Sequence, residues 1–375
     1  MVRHRIAAVD VIPVRAEMRT PRGPSILTYH ARETLFIKLT TEDGVVGWGE
    51  TYRLAGAEST IRDVLAPLLI GKEAAPSKAL HRQMLAATFE NGFAVGGLDL
   101  ALHDAWGKSL SLPVHELYGG APRDTVQAYA SLPGYYDDKA PEDHWVDEAL
   151  ELQARGFQAM KLRIGRFSPD REMPILARVR GAVGPDLRLM ADANAAYSPG
   201  LALRAAATLH ELNFTWLEEP LPQNGYRGYP ELRARMPLPL AGGEGLTTRW
   251  AANDMLRRGC FDIIQPDVSI CGGIAECLFI GELAQLSQIQ CVPHCWAGAL
   301  TLAATLHVAA LLPEPTRMPG VDAPQVELDV TENPFRDVVV RGSPFELRAG
   351  ALKVPTAPGL GVEIDELALR RYEVT

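Results

Sequence analysis

The feature that most constrains this chain is a series of short apolar runs, each ending in a polar residue and separated from the next by an amphipathic helical stretch. From about Thr125 they read VQAYAS, FQAMKLRIG, LRLMADAN, FTWLEEP, PLPLAGGE, FDIIQPD, IQCVPH and a last run ending near VELD. Lys161, Asp192, Glu218, Glu244, Asp267, His294 and Glu327 stand at seven of these ends, with successive gaps of 31, 26, 26, 23, 27 and 33 residues. Each gap holds one strand, loop, helix and loop, so eight runs predict an α/β chain built around a (β/α)8 barrel. In a barrel the C-terminal strand ends converge on one mouth, where the active sites of this architecture sit. Seven ionisable groups are expected to meet there.

The first third reads differently. Strand-like segments RHRIAAVDVIPVRAEM and ETLFIKLTTEDGVVGWGE flank the loop PRGPSILTYHARE, and Asp43 with Gly44 supplies a turn. Helical patterns follow from about Glu58 to Leu69 and from about Pro76 to Ser109, giving an α+β unit over residues 1–124. The barrel is assigned to residues 125–343. Residues 344–375 return to short strand-like pieces around PTAPGLG and are expected to pack back on the N-terminal unit.

Charge and cysteine usage remove several function classes. Lys and Arg number 37 against 46 Asp and Glu, a net charge of −9, and no basic run marks a nucleic-acid face. Asp10 interrupts the basic, then apolar N-terminus, which reads as a strand rather than a signal peptide. The longest apolar stretch, Ala299 to Leu312, falls short of the roughly 20 residues that span a bilayer. Five cysteines, all between Cys260 and Cys295, suit a reducing cytoplasm. CVPHC resembles half of a zinc site, but no second pair stands at a suitable spacing and alternation aims Cys295 away from His294. Dinucleotide, P-loop, serine-nucleophile and HExxH signatures are missing.

Within strands, residues two apart share a face, so Lys161 goes with Arg163, Asp192 with Asn194 and Gln265 with Asp267. In WLEEP only one of Glu218 and Glu219 can point inward, and length alone does not choose between them. Asp192, Glu218 and Glu244 come from consecutive strands about 4.8 Å apart, close enough to share one hard cation. Three unpaired carboxylates would otherwise repel, and oxygen-only ligands favour Mg2+. Any one of them alone would read as a helix cap. Asp267 is placed to orient the imidazole of His294, making that histidine a candidate base, with the cations Lys161 and Arg163 across the mouth.

MKLRIG, MADAN, WLEEP, AGGE, QPDVSICGGI, PHCWAGAL and VELDVTENPF, in this order and spacing, resemble the mandelate racemase subgroup of the enolase superfamily over nearly the whole chain. The resemblance implies a modified TIM barrel with an α+β capping domain formed by both chain ends. It also implies a Mg2+ enzyme that removes the proton α to a carboxylate of a small-molecule substrate, and a homo-oligomer. By the same match Asp192, Glu218 and Glu244 take the metal positions, which selects Glu218 over Glu219. Asp267 and His294 match the catalytic dyad, Glu327 the acid facing the substrate carboxylate, and Asn194 a polar contact near the metal. One position departs from the pattern. Arg163 stands where the family usually carries a second lysine, and a guanidinium is a poor base and a good clamp. One-base chemistry suits what remains, with Lys161 left open as a second base, and the chain resembles sugar-acid dehydratases and galactarolactone cycloisomerase more than a racemase. An epimerase and a barrel that binds a sugar acid without turning it over stay as alternatives. Specificity is expected in the segment from Thr20 to Glu33 and near Tyr52, with Tyr29, His30 and Arg53 as hydroxyl contacts of a sugar acid.

Overall fold

The computed structural model describes residues 4–132, 134–224, 226–316 and 323–374. Strands β1 (Ile6–Gly23), β2 (Tyr29–Thr41) and β3 (Val46–Thr51) form an antiparallel meander, turned between β2 and β3 by Asp43 and Gly44. β1 and β2 extend further than the sequence predicts, because Arg22 pairs with Tyr29 and leaves only residues 24–28 as loop. Gly44, at φ 88°, supplies the left-handed turn position.

Helix Gly92–Leu110 lies on β3 and is buried along most of its length. Gly47 and Gly49 make this approach possible, since a Cβ on them would lie 2.2 Å from the Ala101 carbonyl oxygen and 2.1 Å from that of Gly97. The expected continuous helix over 76–109 is instead two, Lys78–Ala87 and Gly92–Leu110. Phe89 and Glu90 between them adopt left-handed φ values of 49° and 64°, and Asn91 caps the second helix through Ala94 N.

The rest of the chain alternates. β4 (Thr125–Ser131), a two-residue β5 (Tyr135–Tyr136) that joins the edge of β1, β6 (Ala159–Arg163), β7 (Arg188–Asp192) and β8 (Phe214–Glu218) come first. β9 (Leu240–Gly242), β10 (Ile263–Ile264), β11 (Gln290–Cys291) and β12 (Gln325–Asp329) follow. Apart from β5, these are the eight predicted strands, and they run parallel in the order β11, β10, β9, β8, β7, β6, β4, β12. Seven are followed by a helix, and β12 only by the short Pro334–Asp337 turn of helix. Alternation fills the interior below the mouth: Tyr129, Ala159, Met190, Trp216, Ala241 and Ile263, one from each of six strands, and Val292 just after β11 make a single apolar cluster.

The tail does not pack on the N-terminal unit alone. Its hairpin of β13 (Leu347–Arg348) and β14 (Ala351–Lys353) adds to the barrel, β14 pairing antiparallel with residues 125–127 of β4 on the edge that β6 meets only at 130 and 131. Further along it does reach the cap, where Glu373 pairs with Val14 and Glu366 binds Lys38 at 2.8 Å. No described helix is long and apolar enough to cross a membrane.

Candidate active site

At the strand ends the predicted residues come together. Asp192, Glu218 and Glu244 each present a carboxylate oxygen, all within 4.8 Å of one another. Lys161, fully buried on β6, bonds Glu218 Oε1 and places its Nζ 2.9 Å from Glu327 Oε1 and 3.6 Å from Asp192 Oδ2. Arg163, two residues on and on the same face, donates to Asp192 Oδ2 and, at 2.9 Å, to Asn194 Oδ1. Gln265 and the Trp216 indole donate to Glu218 Oε2 at 2.7 and 3.1 Å. Those contacts hold Glu218 toward the mouth. Glu219, at φ 40°, turns the other way to accept from Tyr226, Tyr229 and the Gly243 amide, so it serves as an internal anchor.

Across the mouth, Asp267 and His294 follow β10 and β11 and are joined by their own parallel backbone bridge. His294 Nδ1 is 2.8 Å from Asp267 Oδ2, so the tautomer consistent with this contact carries its proton on Nδ1. Nε2 then faces inward, 3.6 Å from Glu244 Oε2 and 3.9 Å from Glu327 Oε2. Glu327 thus lies between the lysine side and the histidine side.

The electrostatics follow from burial. Desolvation would raise Glu327, but Lys161, His294 and Arg163 hold it well below the usual carboxylate range. Lys161 is pulled down by burial and held above its ordinary value by Glu218, Glu327 and Asp192. Burial likewise opposes the charge on His294, yet Glu244, Glu327 and Asp267 lift it to about 10; a cation held by Glu244 would offset the largest of these pulls and leave Nε2 able to accept a proton. Asp192 goes the other way, pushed up by burial and by Glu218 and Glu244 against the pull of Arg163. Five carboxylates therefore face two permanent cations and one imidazole. Glu244 Oε2 is buried without a hydrogen-bond partner among the described residues, an arrangement that costs stability unless a cation completes it. The donor set is all oxygen, so the residues present fit Mg2+.

Above the carboxylates lies a cavity of about 400 Å3. Its walls include Tyr29, Arg53, Phe93, Asn194, Trp296 and Phe335. Tyr29 stacks on Trp296 with ring centroids 4.8 Å apart, and Arg32 lies over the same indole at 4.5 Å. Arg53 is held by Glu33 and Glu58 at 3.1 and 3.4 Å. His30 points away from this cavity: it is exposed, 3.9 Å from Asp137, because strand alternation sends Tyr29 and Ala31 into the cavity and His30 outward. The sequence reading missed Trp296, Arg32 and Asn333 as wall residues. Trp296, two residues after His294, was within reach of the same alternation argument.

Two family models cover most of the chain. An enolase C-terminal domain-like model matches residues 144–368, and the mandelate racemase / muconate lactonizing enzyme N-terminal domain model matches residues 6–119. D-galactarolactone cycloisomerase of Agrobacterium fabrum is 33% identical, with 99% of each chain covered. Arabinonate dehydratase of Saccharolobus solfataricus is 32% identical, with 92% of each covered. The crystal structure of 3,6-anhydro-D-galactonate cycloisomerase from Zobellia galactanivorans superimposes with a TM-score of 0.88 at 32% identity, over 99% of this chain and all of that one. With matching models at both ends, a capping domain over a TIM barrel, and full-length relatives above 30% identity, the chain belongs to the mandelate racemase / muconate lactonizing enzyme family of the enolase superfamily.

Proposed function

We propose that this chain removes the proton α to the carboxylate of a sugar acid in a Mg2+-dependent reaction and completes a dehydration to the 2-keto-3-deoxy acid. The observation that carries the reading is the pair formed by Asp267 and His294, facing Lys161 and Arg163 across three clustered carboxylates. Mg2+ bound by Asp192, Glu218 and Glu244 would offset their charge and stabilise the oxyanion that develops as the α-proton leaves.

The chain's own groups divide the remaining work. His294 takes the α-proton on Nε2, while Asp267 accepts from Nδ1–H and stabilises the imidazolium that forms. Lys161 and Arg163 add positive charge beside the developing enediolate and orient the substrate carboxylate. The imidazolium then returns the proton to the β-hydroxyl, which departs as water, and the resulting enol tautomerises to the keto acid. Arg163 stays protonated and cannot be a second base, which favours one-base elimination over racemisation.

A second reading, opening or closing of a sugar-acid lactone by the same proton transfer, is favoured by the 33% identity to D-galactarolactone cycloisomerase. The relatives that act on arabinonate and galactonate support dehydration. The test is a panel of aldonic acids, aldaric acids and their lactones with Mg2+ in deuterium oxide. A 2-keto acid with loss of water supports dehydration, isomerisation without loss of water supports the second reading, and no α-proton exchange with any compound overturns both.

A further inference from the structure

The end of β3 brings three consecutive residues of the capping domain against both loops that carry the dyad. Glu50 accepts from the backbone amides of Gly298, Leu300 and Thr301 at 2.7, 3.2 and 3.2 Å, just beyond His294. Thr51 donates its hydroxyl to Ser269 O at 3.2 Å, just beyond Asp267, and Ser269 Oγ donates back to Glu50 O at 3.3 Å. Ser269 and Thr301 hydroxyls meet at 2.8 Å and tie the two loops to each other. Tyr52 reaches furthest in. Its hydroxyl lies 2.9 Å from Asp267 Oδ2, the oxygen that also receives His294 Nδ1 at 2.8 Å.

This oxygen therefore accepts from two directions, one in the barrel and one in the cap. Asp267 Oδ1 is fixed separately by the Ser269 amide at 2.7 Å, so the rotation of the carboxylate depends on what holds Oδ2. The Tyr52 oxygen itself accepts from the Trp296 amide at 3.3 Å, which points its single proton at Asp267. Burial and the Asp267 charge keep the phenol well above its ordinary pKa, so it remains a donor throughout the working range.

We propose that Tyr52 is a positioning residue of the dyad: it fixes the Asp267 oxygen that orients His294, so the aim of His294 Nε2 depends on the seating of the capping domain. The inference rests on His294 being the base of the proposed reaction. A capping domain that holds the orienting carboxylate does more than wall off the substrate. It couples closure of the cavity to competence of the base.

Tyr52→Phe removes one oxygen and is the test. The expected result is a fall in kcat of about tenfold, as for other groups that orient a catalytic residue, with the KM for the acid and the affinity for Mg2+ unchanged. The isotope effect on transfer of an α-deuteron is expected to rise. An unchanged kcat, or a raised KM with kcat intact, overturns the proposal, the latter because it marks Tyr52 as a substrate contact only. If Tyr52→Phe does not fold, 3,5-difluorotyrosine at position 52 keeps ring and hydroxyl while strengthening the donor; kcat must then shift at constant KM, and an unaltered kcat overturns the proposal. An activity-independent measurement separates this inference from the reaction itself. The downfield proton resonance of His294 Nδ1–H, identified by its loss in His294→Asn, must move in Tyr52→Phe whether or not any sugar acid turns over. A resonance that stays in place overturns the role of Tyr52 and leaves the proposed function standing; wild-type protein that exchanges no α-proton sinks the proposed function alone.

Discussion

Arg163 is the residue at which chemistry and sequence pattern part. Its guanidinium donates from Nη1 to both Asp192 Oδ2 and Asn194 Oδ1 and, unlike a lysine ammonium, stays protonated. With Arg163 fixed, His294 is the proposed single base, and His294→Asn is expected to lower α-proton exchange by about 10²–10⁴-fold while circular dichroism and melting stay unchanged. Residual exchange at the wild-type rate would remove His294 from that role. Glu218→Gln leaves Lys161 buried with less of its counter-charge and is expected to weaken Mg2+ binding at least about tenfold, read by calorimetry. Period-two alternation made Lys161 and Arg163 legible in the sequence, whereas Asn194 lies beyond the end of β7 at a left-handed φ of 43° and meets Arg163 through that turn. The same rule excludes His30, whose neighbours Tyr29 and Ala31 line the cavity, but applying it required knowing that β2 already begins at Tyr29. Tyr52 was legible only as a neighbour of Arg53; its bond to Asp267 spans 215 residues and no local pattern encodes it.

At the scale of elements, β3 carries unusual weight for six residues. Gly49→Ala would place a methyl 2.1 Å from the Gly97 carbonyl oxygen, and a backbone cannot yield as a side chain does. A loss of roughly 2–3 kcal/mol is expected in chemical denaturation, the upper range for overpacking. Glu50, on the same strand, is pushed up to about 7 by burial, against the amides of Thr301, Gly298 and Leu300 that favour its charged form. Its folded pKa exceeds the unfolded value, so its contribution to stability is complete below about pH 4.5 and declines as pH rises through 7. Glu50→Gln should flatten that part of the stability profile, and urea midpoints measured from pH 4.5 to 8 check it. Equal slopes in the two proteins would mean that Glu50 titrates in the fold as it does in the unfolded chain, and would overturn this assignment. Helix existence was legible from periodicity, whereas the break at Phe89 and Glu90 was not, since neither residue favours a left-handed backbone; the exposed turn is closed locally, by Glu90 N donating to Leu85 O at 2.9 Å and by the Asn91 cap of the next helix.

For the whole molecule, the net charge of −9 gives a poor guide to the site, because the mouth gathers carboxylates and cations on one ring of strand ends. A ligand that binds only the folded state stabilises it by mass action, so saturating Mg2+ at about 100 times Kd should add about 2.7 kcal/mol. Calorimetric melting with Mg2+ and with a chelator checks this, and Glu218→Gln should abolish most of the difference. The barrel was readable from the spacing of strand ends, a local signal repeated eight times, but the route of the tail was not, because β14 meets β4 more than 220 residues away in sequence. That route has a consequence for synthesis. Val14 leaves the ribosome 359 residues before Glu373, yet the two are bridged in the finished fold, and β4 waits more than 220 residues for Ala351 and Lys353. The first sheet and the first barrel strand thus carry an open edge through most of translation, so slowing the final stretch, or removing residues 344–374, should send nascent chains to chaperones or aggregates before the mouth is ever assembled.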